Sequence, residues 1–183
     1  MNQKLLFVLS IIIVGFGYVA YEGYMLDKKF SSFKSGQPNT VIKNLPTAKF
    51  QLFNSKEIVD LKFLANKGNN IVVHFWATWC GPCEKEFPEL VKLTELLKNK
   101  KDVIFLFIAV NDKDKDIKKF LRKFKKFNNY KILIDQDNIH QKLFGTFRLP
   151  ETYLFGKDQK IINKYIGQQP WTQKYFVDLL NSL

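Results

Sequence analysis

The stretch HFWATWCGPC at residues 74–83 decides the fold, and it contains both cysteines of the 183-residue chain. An apolar run, IVVHFW at residues 71–76, leads into it, and a helical pattern follows over residues 84–98. Two cysteines at this spacing, between a buried strand and a helix, predict a redox dithiol that closes into a disulfide and opens again. A disulfide across so short a loop removes little entropy from the unfolded chain, so we do not expect the pair to be scaffold.

Two other chemistries use a Cys-x-x-Cys motif. A structural zinc site needs further ligands, and the chain has no second such motif and no nearby pair of histidines. Covalent haem attachment needs a histidine directly after the second cysteine, where this chain has Glu84. The sequence therefore predicts no metal and no cofactor other than the cysteine pair itself.

The N-terminus carries an uninterrupted apolar run, LLFVLSIIIVGFGYVAY at residues 5–21, preceded by Lys4. Its length is at the lower end of the about 17–25 residues of a membrane-spanning helix. Tyr18 and Val19 fit the small-x-small cleavage site of a signal peptide poorly, although a cleaved signal and a buried core helix remain alternatives. We therefore expect residues 1–24 to be one transmembrane anchor, or an uncleaved signal.

The next segment, residues 25–47, has the composition of a linker. Its residues are mostly polar, and Gly36, Pro38 and Pro46 interrupt any periodic pattern. One folded domain of ordinary size is then predicted over residues 48–183.

Lysines on both sides of the apolar run bear on its orientation. Lys4 favours a cytoplasmic N-terminus, whereas Lys28 and Lys29 weaken that bias. The preferred prediction is a single-pass protein of the inner (cytoplasmic) membrane, with the folded domain on the periplasmic or extracytoplasmic side, where disulfides persist.

The formal net charge is +12, and almost all of the positive charge is lysine, because Arg122 and Arg148 are the only arginines. Proteins that read nucleic acids rely on arginine for bidentate contacts with bases and phosphates. The composition therefore argues against a nucleic-acid partner. The lysines are explained by a solvated surface, with attraction to anionic lipid or an acidic partner as the alternative.

The apolar patterns predict alternating strands and helices. Residues 103–110, VIFLFIAV, are continuously apolar, as in a strand buried on both faces. Residues 114–127 place apolar side chains on one helical face and basic ones on the other. The other predicted elements are a hairpin at 49–53 and 58–61, a strand at 131–134, a short helix at 139–144, a hairpin at 152–155 and 161–165, and a last helix. This order predicts an α/β fold with a parallel core, a small N-terminal β-hairpin and helices on both faces.

The position of Cys80 suits a nucleophile. A thiolate is the reactive form, and the unpaired N–H groups and positive dipole end of a helix N-terminus favour that anion. Cys83 lies one helical turn further on. Cys80 can therefore attack a disulfide, and Cys83 can then attack the resulting mixed disulfide to release the reduced product, or the cycle can run in reverse.

The run FWATWCGPCEKEFPEL at residues 75–90, together with Pro150, resembles the thioredoxin superfamily. More narrowly it is similar to the membrane-anchored TlpA/ResA/CcmG-type thiol–disulfide oxidoreductases, and the PET run at residues 150–152 resembles the CcmG type. The resemblance covers roughly residues 48–183. It implies a thioredoxin-like fold with a central mixed sheet, and oxidoreductase activity.

The resemblance also implies where a substrate binds. Leu149–Pro150 would be a cis peptide facing Cys80, in a loop that presents its backbone to the substrate chain, with an ordinary trans turn as the alternative. Trp79, beside the exposed cysteine, would line the substrate groove together with Gly81 and Pro82.

Two further residues are candidate proton carriers. Glu86 matches an acidic residue of ResA-like proteins and would tune the thiol pKa values or relay a proton to Cys83, unless it is only a carboxylate on the helix surface. His74 departs from the family, which has Asp or Asn there; it is either a base for Cys83 or a hydrogen-bonded core histidine.

The favoured function is reduction of disulfides in exported proteins, for example apocytochrome c before haem attachment. The resemblance implies a membrane thiol-electron donor as a second partner, and we expect a monomer. The alternatives are a general disulfide oxidase or isomerase, a peroxide-reducing enzyme, and a non-catalytic thioredoxin-like adaptor.

Overall fold

The computed structural model describes residues 3–34, 42–124 and 129–183, with side chains described from residue 10 to residue 25 in the first of these ranges. The chain divides into two compact units, Met1–Gln37 and Pro38–Leu183. In the first unit the described structure is one helix, α1 (Gln3–Lys34).

Helix α1 contains the apolar run that was predicted to be a membrane anchor. Across the described ranges, no helix has both the length and the apolarity that crossing a membrane requires. The transmembrane helix predicted within residues 1–24 is therefore not found there. Helix α1 also continues to Lys34, into the segment predicted as a linker, of which residues 35–41 lie outside the described residues.

The second unit alternates strands and helices along the chain. Its elements are β1 (Lys49–Leu52), β2 (Ile58–Asp60), α2 (Leu61–Asn66), β3 (Asn70–Trp76), α3 (Gly81–Leu96), β4 (Val103–Val110), α4 (Asp114–Leu121), β5 (Tyr130–Asp135), α5 (Ile139–Phe144), β6 (Glu151–Phe155), β7 (Ile161–Ile166) and α6 (Lys174–Asn181). Asn44 already pairs with Lys160, and Leu45 is buried, so this unit includes residues before position 48.

The strands form one sheet in the order β2-β1-β5-β4-β3-β6-β7. Strands β3, β4 and β5 are parallel, because helices α3 and α4 carry the chain back between them. Strand β1 pairs antiparallel with β5, and β6 pairs antiparallel with β3. The edge strands β2 and β7 pair antiparallel with β1 and β6. The mixed sheet and the N-terminal hairpin agree with the prediction.

Each face of the sheet packs against its own apolar core. Val72 and Trp76 of β3 point to the core shared with α3, α4 and α6, whereas Ile71, Val73 and Phe75 point to the core under α2 and α5. This alternation follows from the two-residue period of a strand. Helices therefore cover both faces, as predicted.

The main differences from the sequence prediction concern three helices, whereas most strand ends differ by one residue. Helix α2 was not predicted; the carboxylate of Asp60 caps it by accepting the N–H of Phe63. Helix α3 begins at Gly81 instead of residue 84, because Cys80 is its N-cap and proline is tolerated in a first helical turn. Helix α4 ends at Leu121, earlier than predicted, and residues 125–128 lie outside the described structure.

Candidate active site

The two cysteines meet where β3 ends and α3 begins. They form a disulfide with an S–S distance of 2.07 Å and a Cα–Cα distance of 5.2 Å. The Sγ atom of Cys80, in the N-cap position, accepts a hydrogen bond from the N–H of Cys83 at 3.2 Å. Cys80 is 6% exposed and Cys83 is fully buried, so of the two cysteines only Cys80 reaches the surface.

The loop before Cys80 is held by Asp112, which follows the end of β4. The backbone N–H and the hydroxyl of Thr78 each donate to the Asp112 carboxylate at 2.6 Å. Sequence reasoning did not single out Asp112. Its position directly after a buried parallel strand was the available signal, because the carboxyl ends of neighbouring parallel strands meet at one edge of the sheet.

A second loop reaches the cysteines from the start of β6. The Leu149–Pro150 peptide bond is cis, which confirms the expectation from the resemblance. The Pro150 carbonyl accepts the N–H of Gly167 at 2.8 Å, and β6 pairs with β3 with Glu151 opposite Phe75. Pairing with β3 therefore brings this loop beside the strand that leads to Cys80.

A cleft of about 460 Å³ is lined in part by Cys80. Trp79 and Pro82 line it from the cysteine loop, and Phe147 and Leu149 line it from the cis-proline loop. Gly81 is exposed next to them, and Pro150 itself is buried. The structure thus brings together the predicted Trp79, Pro82 and Leu149 around Cys80. It adds Phe147, which carries no sequence signal because it lies in an irregular loop.

His74 and Glu86 form a buried pair beneath the active-site helix. The His74 Nδ1 atom lies 2.8 Å from the hydroxyl of Thr152, which is its pairing partner in the neighbouring strand β6. Its Nε2 atom lies 3.5 Å from Oε1 of Glu86, and both side chains are fully buried. Apart from this contact, Nε2 and Oε1 have no hydrogen-bond partner among the described residues. The two predicted proton carriers therefore face each other.

Burial sets the protonation of this pair. It lowers the pKa of His74 to about 3 and raises the pKa of Glu86 to about 8, although the Gln169 N–H donates to the carboxylate and opposes that rise. Since a buried charge without full solvation is unfavourable, both groups prefer their neutral forms near pH 7. The pair then holds one proton, which either partner can carry.

Glu86 and Cys83 lie on the same buried face of α3. Residues three apart on a helix have Cβ atoms about 5–6 Å from each other. Glu86 and Cys83 are therefore neighbours on this face, although the Glu86 carboxylate itself contacts His74 and accepts the N–H of Gln169. No group of three or more His, Cys, Asp or Glu side chains within the described ranges could hold a metal ion.

A buried ion pair joins β6 and β7 next to the cis-proline loop. Lys164 of β7 contacts Glu151 of β6 at 2.9 Å, and their side chains are 6% and 0% exposed. The Tyr153 hydroxyl donates to the same carboxylate at 2.8 Å, and Thr146 is within 2.8 Å of that hydroxyl. No periodic pattern pointed to this cluster, because a buried lysine in an alternating strand looks the same as an exposed one.

Known proteins are similar to this chain in sequence and in fold. Residues 40–180 match the Redoxin family. The thiol-disulfide oxidoreductase ResA of Bacillus thuringiensis (strain Al Hakam) is 30% identical over 174 residues, which cover 92% of this chain and 91% of that protein. ResA of Bacillus subtilis (strain 168) is 25% identical over 174 residues, covering 95% of this chain and 88% of its own length.

Solved structures show the same fold at lower identity. A putative thiol:disulfide interchange protein DsbE from Chlorobium tepidum superposes with a TM-score of 0.64 at 22% identity, covering 77% of this chain and 96% of that one. StoA from Bacillus subtilis gives a TM-score of 0.56 at 21% identity, with 68% and 91% covered. The chain therefore belongs to the redoxin family of the thioredoxin superfamily, and it is a ResA-like thiol–disulfide oxidoreductase.

Proposed function

We propose that this protein reduces disulfide bonds in exported proteins, with Cys80 as the nucleophile and Cys83 as the resolving thiol. The difference between the two sulfurs carries the assignment. Cys80 borders the cleft and Cys83 is fully buried. A client disulfide can therefore approach only the first of them.

The cycle transfers two electrons to the client. In the reduced protein the Cys80 thiolate attacks one client sulfur, forms a mixed disulfide and expels the other client sulfur as a thiolate. The Cys83 thiolate then attacks Cys80 Sγ, the mixed disulfide breaks, and the second client sulfur leaves. The Cys80–Cys83 disulfide that remains must be opened by two electrons and two protons from a donor dithiol, which we propose to be a membrane thiol-electron donor.

Two features of α3 stabilise the attacking thiolate. Cys80 is the N-cap, where the positive end of the helix dipole favours an anion. The N–H of Cys83 already points at its sulfur at 3.2 Å. A charge-assisted hydrogen bond to the thiolate is stronger than the same bond to a neutral sulfur, so it favours the reactive form.

The His74–Glu86 pair supports proton transfer at Cys83. When the internal disulfide is opened, the Cys83 sulfur becomes a buried thiolate, which is unfavourable until it gains a proton. Glu86 lies three residues from Cys83 among the buried residues of α3, and its raised pKa of about 8 keeps a proton available near neutral pH. We propose that His74 accepts or returns that proton through Nε2 while Thr152 fixes its ring.

We further propose an extracytoplasmic location and an apocytochrome c client. The apolar residues 5–21 support the location as an export signal or membrane attachment, and the similarity to ResA-type proteins supports the client. A membrane-impermeant maleimide tests the location on a Cys83→Ser variant, after dithiothreitol has released any captured client from Cys80 and has been washed away. Labelling in intact cells is expected, and labelling only after lysis would contradict it.

Trapping tests the reaction itself. Cys83→Ser cannot resolve the mixed disulfide, so it should accumulate covalent adducts through Cys80 that dithiothreitol releases, and mass spectrometry identifies the captured proteins. Cys80→Ser is the matched control and should capture nothing. Equal capture by both variants would refute the assignment of roles, and capture of proteins without disulfides would refute the reductase proposal.

A further inference from the structure

Two large aromatic side chains stand exposed at the entrance to Cys80. Trp79 is 63% exposed and Phe147 is 70% exposed, and both line the cleft that Cys80 also lines. They come from different loops, one before α3 and one before β6. Exposed apolar groups that share one cleft are typical of a surface that a partner covers.

Cations hold the Phe147 ring in this place. The Lys164 ammonium lies 5.2 Å from the ring centroid, and the Arg148 guanidinium carbon lies 5.9 Å from it. Both distances are within the range of cation–π attraction. These two cations therefore help to hold the Phe147 ring, which is otherwise largely exposed.

Lys164 cannot move freely, because it belongs to the buried cluster next to the cis-proline loop. Its ammonium is 2.9 Å from the Glu151 carboxylate and 4.9 Å from the Tyr153 ring centroid. The Tyr153 hydroxyl oxygen also lies 3.0 Å from the carbonyl oxygen of Phe144, just before the loop. The cluster thus contacts both ends of the loop that carries Phe147, at Phe144 and at Glu151.

The chemistry of the cleft indicates what fits it. All nine residues that line it are uncharged, and four of them are Trp79, Pro82, Phe147 and Leu149. Its volume of about 460 Å³ accepts an aromatic side chain in addition to the client sulfur. The other lining residues include the amides Asn111, Asn138 and Gln141, so a charged side chain would find neutral hydrogen-bond partners but no opposite charge among the described residues that line the cleft.

We propose that Phe147 and Trp79 together bind an apolar side chain next to the client cysteine, and that Lys164 is a positioning residue for Phe147. The occupant is an extended client segment with an aromatic or large aliphatic residue beside its disulfide cysteine. This inference rests on the proposed function and adds a substrate preference to it. No bond changes other than the thiol–disulfide exchange already described.

Two disulfide-linked peptides test the preference. They are identical except for Phe or Ser next to the reactive cysteine. The reduced protein is mixed with each for single-turnover rates, and a chemical dithiol that regenerates the reduced protein, with its direct reaction with the peptide subtracted, allows steady-state kcat and KM to be measured. The expected kcat/KM ratio favours the Phe peptide by about tenfold, the size of one aromatic contact. Phe147→Ala should bring that ratio close to one.

Phe63→Ala is the matched control. Phe63 on α2 is also an exposed phenylalanine, 59% exposed, with the Lys67 ammonium 4.3 Å from its ring centroid. It lies outside the cleft, so its removal should leave the peptide ratio unchanged. A ratio that survives Phe147→Ala, or that falls equally in Phe63→Ala, overturns the proposal.

Lys164 needs a paired substitution, because Lys164→Met alone leaves Glu151 buried without its cation. Lys164→Met with Glu151→Gln removes both charges. The expected result is a higher KM for the Phe peptide with kcat retained and the Ser peptide unaffected, which a general loss of structure would not produce. A wild-type protein that reduces both peptides equally overturns only this inference, whereas one that reduces neither overturns the proposed function as well.

Discussion

The buried His74–Glu86 pair predicts an unusual dependence of stability on pH. Burial raises the Glu86 pKa from 4.5 to about 8 and lowers the His74 pKa from 6.5 to about 3. A raised carboxyl pKa contributes stability below pH 4.5 that is lost as pH rises to 8. A lowered imidazole pKa contributes stability above pH 6.5 that is lost as pH falls to 3.

The two contributions cancel over the middle of this range. Between pH 4.5 and 6.5 the folded pair and the unfolded chain each bind one proton, so the pair adds no slope. Between pH 6.5 and 8 only the folded state keeps a proton. The free energy of unfolding should then fall by about 1.4 kcal/mol per pH unit, or about 2 kcal/mol in total. The result depends on the number of bound protons and not on which partner carries them.

Glu86→Gln changes the shape of the profile. Without the carboxyl group, the fall between pH 6.5 and 8 should disappear, and stability should instead rise between pH 4.5 and 6.5 as the unfolded-state histidine loses its proton. His74→Asn should do the opposite, with a continuous fall from pH 4.5 to 8.

Urea unfolding of the oxidised protein, followed by tryptophan fluorescence at steps of half a pH unit, measures these profiles. Glu84→Gln removes an exposed carboxylate from the same helix and serves as the control, with a profile parallel to the wild type. Parallel profiles of the wild type and Glu86→Gln between pH 6.5 and 8 would refute a proton held by the pair.

Two other substitutions test how the site is supported. Thr78→Val removes a 2.6 Å hydrogen bond to the partly buried Asp112 carboxylate, and should lower the free energy of unfolding by about 1–3 kcal/mol, with Thr78→Ser as the control; a loss under about 0.5 kcal/mol would contradict this role. Phe87→Ala removes a fully buried ring that packs against Trp76 at 4.9 Å between centroids, and should cost about 3–5 kcal/mol in denaturant unfolding. Leu96 is exposed on the same helix, and Leu96→Ala should change the free energy of unfolding by no more than about 0.5 kcal/mol. An equal loss in both variants would contradict the claim that burial of Phe87 stabilises the protein.

Most of the sheet could be predicted because its pattern is local. The continuous apolar run at residues 103–110 became the central strand β4, and helix α5 was placed at its observed bounds. The predicted helix starts were wrong where a side-chain capping bond, and not the apolar pattern, sets the first residue of the helix. Asp60 starts helix α2 through a capping bond, and Cys80 starts α3 three residues early by the same means.

The site divides in the same way. The cysteines, Trp79 and the cis Leu149–Pro150 bond could be anticipated from the motif and the resemblance. Of these residues, Cys80, Trp79 and Leu149 line one cleft, whereas Cys83 and Pro150 are buried. The facing of His74 and Glu86 could not be anticipated, because it depends on the register of β3 under α3. Lys164 and Phe147 act only through a tertiary contact, and no spacing in the sequence records it.

The reduction potential of the Cys80–Cys83 pair tests the proposed direction of electron flow most directly. The protein is equilibrated with defined ratios of reduced and oxidised dithiothreitol or glutathione, and the free thiols are counted by alkylation and mass spectrometry. A reductase should lie closer to thioredoxin, about −270 mV, than to the oxidant DsbA, about −120 mV. A value near that of DsbA would contradict reduction of client disulfides by this protein.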